Sequence, residues 1–69
     1  MDIIEKELDS RKDEIQKEVE LLFKANMKIT NWDVAEADNK KAAGLLLEIM
    51  QEKLDMMRGD ILTGKYDNY

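Results

Sequence analysis

Apolar residues recur at Ile4, Leu8, Ile15, Val19 and Leu22 in the first part of the chain. Steps of three, four or seven return to one face of an α-helix, so the pattern predicts a helix over about residues 2–28. Arg11 and Lys12 interrupt the stripe, where a long basic stem can still cover apolar surface. The exposed face carries acid-first pairs four apart: Asp2/Lys6, Glu7/Arg11, Asp13/Lys17 and Glu20/Lys24. Each such pair contributes about 0.2–0.5 kcal/mol. A second run, Ala43, Leu47, Met50, Leu54, Met57 and Ile61, alternates steps of four and three. That spacing is the seam of a helix packed lengthwise on another, here over about 34–63. Gly64 suits the left-handed residue that ends a helix, and the tail 64–69 is expected to fray. Gly59 weakens the interior of that helix by about 1 kcal/mol relative to alanine.

Periodicity breaks over about 29–33, which reads as a joint. Asp33 and Glu36 have the spacing of a capping box, and Asp38 is a second candidate cap. Trp32, the lone tryptophan, sits in this joint. It either closes the end of the core or stands exposed as an anchor for a partner, a role in which tryptophan is enriched. The fold expected from these elements is all-α, a single domain over 1–69 built as a two-helix antiparallel hairpin.

Two triplets exceed what a hairpin requires: Leu21, Leu22, Phe23 and Leu45, Leu46, Leu47. Three consecutive apolar residues wrap about 200° around a helix, more than one neighbour covers. Folding the chain about residue 34 sets the triplets level, with Ile15 near Leu54 and Leu8 near Ile61. This predicts a second apolar surface flanked by Ile49 and Met50. Met50 and Met57 lie on the stripe and read as core, whereas Met56 falls off it and reads as interface. The small residues Ala42, Ala43 and Gly44 allow close helix approach, with Phe23 or Trp32 filling the space. Such a surface points to a protein partner. The simplest partner is a second copy, giving a two-fold dimer and a four-helix bundle. A different protein is the alternative.

Composition narrows the function classes. At 69 residues the chain is one small domain with a modest core, and such domains often rely on disulfides, a metal or oligomerisation. It has no cysteine and no histidine, so no disulfide and no ordinary zinc, haem or iron–sulfur site can form. Without them, and with Ser10 as the lone serine, no nucleophile–base pair can be assembled. Glu48 and Glu52 could share a metal, but the histidines of a di-iron bundle are missing. The acids of "DVAEADNKK" do not meet the spacing of a calcium loop. "RGD", Arg58 to Asp60, falls within the second predicted helix rather than an exposed adhesion loop. A net charge of −5 argues against a generic nucleic-acid binder or a polybasic membrane peptide. The start has no signal-peptide pattern, and no apolar run is long enough to cross a bilayer, so a soluble cytoplasmic protein is expected. The expectation is a non-enzymatic regulator or adaptor with no cofactor, no metal and no small-molecule substrate.

In length, helix count and expected dimerisation the plan resembles the plasmid-encoded RNA-binding hairpins of the Rop family. The resemblance implies an RNA-binding regulator, with Arg11, Lys12, Lys17 and Lys24 as the basic stripe available to it. None of that family's RNA-contacting residues maps onto this sequence, so the implication rests on architecture. "LDMMRGDILTGKY", Leu54 to Tyr66, is similar to the C-terminal helix of flagellar anti-sigma factors through Ile61, Gly64 and Tyr66. That resemblance implies a partner binder acting through its C-terminal helix. The well-patterned first helix departs from that family, whose N-terminal part tends to be disordered.

Overall fold

The computed structural model describes residues 2–34 and 38–68, and it is all-helical there. Three helices follow in order: α1 (Ile3–Ser10), α2 (Lys12–Asp33) and α3 (Asn39–Leu62). The expected two-helix hairpin is therefore corrected to three helices, because the first predicted helix breaks at Arg11. The break has a local cause. The Ser10 hydroxyl donates to the Glu7 carbonyl at 2.6 Å, a bond of a side chain to its own helix that tends to bend it. Arg11 then takes φ −108° and ψ 5°, and its N–H reaches back only three residues, to Leu8 O at 3.2 Å. Its guanidinium spans the break, 3.7 Å from Glu7 Oε1 and 3.5 Å from Glu14 Oε2. Asp2 caps α1 by accepting from Glu5 N at 2.7 Å.

The joint also lies later than expected. α2 continues through 29–33 to Asp33 and stops where Val34 becomes extended, its N–H donating to Thr30 O at 2.9 Å. Asp33 is thus the last residue of α2 and not a cap. Asp38 caps α3, its Oδ1 accepting from Lys40 N at 3.0 Å and Lys41 N at 3.1 Å. Glu36, the other half of the proposed capping box, lies outside the described residues. At the far end Gly64 has φ 85°. Lys65 N donates to Asp60 O and Gly64 N to Ile61 O, the paired reversed bonds that close a helix on a left-handed residue. A hydrophobic contact often accompanies that motif; here Lys65 Nζ lies 3.4 Å from Asp60 Oδ2 instead. Residues 64–68, expected to fray, form turns, with Asp67 N donating to Gly64 O at 3.2 Å.

α2 and α3 pack against each other, whereas α1 touches only α2, to which it is joined at Arg11. The pair runs antiparallel: Thr30 shares a groove with Ala42, Leu45 and Ile49, and Phe23 shares another with Leu47 and Met50. The chain reverses between Val34 and Asp38 rather than about residue 34, which shifts the register by about one helical turn. Phe23 now lies level with Met50, in place of the expected Leu22 with Leu46. Ile15, Phe23, Met27 and Thr30 on α2 and Ala42, Ala43, Leu46, Met50 and Met57 on α3 are half-buried. Gly44 turns away from this seam, with open space where a Cβ would stand.

No described residue is fully buried. The chain exposes 6581 Å², whereas a folded monomer of its mass exposes about 4,500 Å². Its radius of gyration is 15.9 Å, against about 11 Å for a compact domain of this length. Both quantities describe a thin, open protomer.

The cap geometry makes two expectations testable. Asp38→Ala is expected to lower stability by about 0.5–2 kcal/mol, and Asp33→Ala to lower it by less, in urea melts at matched protein concentration. Gly64→Ala is expected to cost about 1–2 kcal/mol because alanine must adopt positive φ, and its Cβ also meets Asp67 Oδ2 at 2.8 Å. Wild-type stability in that variant refutes the assigned stop.

Candidate functional site

The half-buried seam sorts every residue expected at an interface. Phe23, Leu46 and Met50 point inward, between the helices. On a helix advancing about 100° per residue, the residue just before a seam position turns to one flank and the residue just after to the other. In an antiparallel pair the two preceding residues share one side. Those preceding Phe23, Thr30, Leu46, Met50 and Met57 are Leu22, Ile29, Leu45, Ile49 and Met56, all apolar, whereas Glu14, Asn26 and Lys41 precede Ile15, Met27 and Ala42. The apolar ones are between 50% and 63% exposed. The residues following the same positions are Lys24, Asn31, Leu47, Gln51 and Arg58, so the opposite flank mixes polar side chains with Leu47, which shares a groove there with Val19.

The expected surface is thereby divided. Leu22, Leu45 and Ile49 share one flank, Met56 lies at its edge beside the acids on the outer side of α3, Leu47 lies on the other flank, and Leu21 stands on the back of α2. The stripe expected to face α2 is rotated as well: Leu47, Leu54 and Ile61 are exposed, because Leu46 takes the central inward place. Ile29 was assigned to the joint and so was missed. Its signal was its place seven residues after Leu22, two helical turns along the same row.

Trp32 is 88% exposed in the last turn of α2. It does not close the core; steps of four and three align it with Leu21, Ala25 and Lys28 on the outer side of the helix. Ala25, Lys28, Ile29 and Trp32 line a shallow groove there.

Charged groups form no concentrated site. Lys24 Nζ lies 3.3 Å from Glu20 Oε1, and Arg11 is engaged by Glu7 and Glu14, so the suggested basic stripe with Lys12 and Lys17 is interleaved with acids. Glu48, Gln51, Glu52, Asp55 and Met56 line the outer side of α3. Among the described residues no three acidic side chains converge to hold a metal. Arg58, Gly59 and Asp60 lie within α3, and Asp60 is tied to Lys65. No helix among the described residues is long and apolar enough to cross a membrane.

No protein-family model, curated protein or solved structure matches the chain.

Because Trp32 stands clear of the seam, its fluorescence is expected to be quenched by acrylamide nearly as fully as that of free tryptophan. Trp32→Ala is expected to change stability by no more than about 0.5 kcal/mol. A shielded tryptophan contradicts this placement.

Proposed function

We propose that this chain is a small non-enzymatic interaction module that works as a homodimer, a regulator or adaptor acting through protein–protein contacts. In this reading the α2–α3 arms of two copies form a four-helix bundle. The observation that carries it is the surplus surface: 6581 Å² exposed by the chain, about 2,000 Å² more than a monomer of this mass leaves in water. Obligate dimers bury about 2,000–5,000 Å² in total, or half that per partner. The surplus is therefore of the size that one stable interface removes. The apolar flank beside the seam favours a protein occupant over RNA, since RNA binding depends on free cations along the backbone path.

Sedimentation equilibrium at micromolar concentration is expected to return twice the 8.1 kDa of one chain. Its melting temperature should rise with protein concentration, as association linkage requires. A well-folded monomer with concentration-independent melting refutes the proposal. RNA binding that weakens steeply with salt would favour the Rop-type alternative instead.

A further inference from the structure

Resting on the dimer reading above, we infer that the second copy docks on the flank formed by Leu22, Ile29, Leu45 and Ile49, with Met56 at its edge. Three observations single out this flank.

The first is chemical. Each of these residues precedes an inward-facing one; Asn26 lies between Leu22 and Ile29, no charged residue separates Leu45 from Ile49, and Glu52 separates Ile49 from Met56. Two polar side chains beside this flank each donate to the α2 backbone. Asn26 Nδ2 donates to Leu22 O at 2.9 Å, and Thr30 Oγ1 donates to Asn26 O at 3.0 Å. Covering this flank leaves those two donor bonds intact.

The second concerns the opposite flank. Leu47, Leu54 and Ile61 of α3 are exposed there beside Val19 of α2, but Gln16, Glu20 and Lys24 of α2 edge the same groove, and Glu20 and Lys24 are paired. A partner on that side must desolvate an ion pair, which a well-packed interface seldom recovers. These residues fit a solvated face where charged stems lie along leucine.

The third is symmetry. In the observed register Leu22 and Ile49 lie near one level of the pair, and Ile29 and Leu45 near the next. This four-cornered aliphatic array is unchanged in character by a two-fold rotation about either axis in its plane. A second copy therefore sets aliphatic against aliphatic, as an isologous interface requires. Lys41 and Asp33 bound the array at the turn, and Glu18 and Glu52 at the other end, the polar rim expected of such a patch.

The test is hydroxyl-radical labelling of the associated protein, each residue normalised to its rate in the urea-unfolded chain. In one protomer the two flanks are almost equally open, with Leu22 at 58% and Leu47 at 55%, so a difference between them reports the docked copy. Leu22, Ile29, Leu45 and Ile49 are expected to be protected several-fold more than Leu47, Leu54 and Ile61. Ile49→Lys is expected to weaken association by at least about tenfold, and Leu54→Lys by less than about twofold. Should Ile49→Lys fail to fold, the labelling pattern of the unsubstituted protein still decides. Protection falling on Leu47, Leu54 and Ile61 in an intact dimer overturns this face while leaving the dimer standing. A chain that sediments as a monomer overturns both.

Discussion

A pair of helices meets along a line, so each can hide only the part of its circumference that faces the other. In α2 and α3 that part holds Phe23, Met27, Leu46 and Met50, and even these remain partly open to water. A core requires residues enclosed on every side, and two cylinders cannot enclose anything. The exposed leucines, the extended shape and the apolar flank all follow from this geometric limit. Hydrophobic stabilisation scales with area removed from water, at about 25 cal/mol per Å². The aliphatic surface that one pair leaves open is therefore a substantial driving force awaiting a neighbour.

Capping decides how that line of contact is registered. Asp38 fixes where α3 begins, and the extended Val34 fixes where α2 ends, so the reversal falls between those two residues. A shift of one helical turn exchanges which residues meet, because opposed positions move in opposite directions along an antiparallel pair. Phe23 consequently lies level with Met50, and Leu22 is left beside the seam instead of in it. The interface candidate is thus a product of two local hydrogen-bonded ends as much as of the leucines.

The break at Arg11 adds a second consequence. It separates α1 from the long α2 arm, and α1 has no contact with α3. Ile3 and Ile4 accordingly remain highly exposed. A serine bonded to its own helix and an arginine shared by Glu7 and Glu14 act where the apolar stripe is weakest, at Arg11 and Lys12.

Several features were legible in the amino-acid order alone. Helix class follows from the three–four spacing of apolar residues, and the stop at Gly64 from glycine's freedom at positive φ. The absence of histidine and cysteine chemistry follows from composition, and the surplus of apolar surface from the leucine triplets. These are properties of residue type and local spacing, which do not depend on what packs where. The partition of those triplets was not legible. Leu45, Leu46 and Leu47 are identical in chemistry, and their 100° separations give three directions without naming the inward one. Only the position of α2, set by the cap at Asp38 and the end at Val34, turned Leu46 inward, Leu47 to the mixed flank and Leu45 to the apolar one. Tertiary packing likewise carried Ile29 out of the expected joint and left Trp32 in water, because helix propagation through residue 33 outran the loss of apolar periodicity.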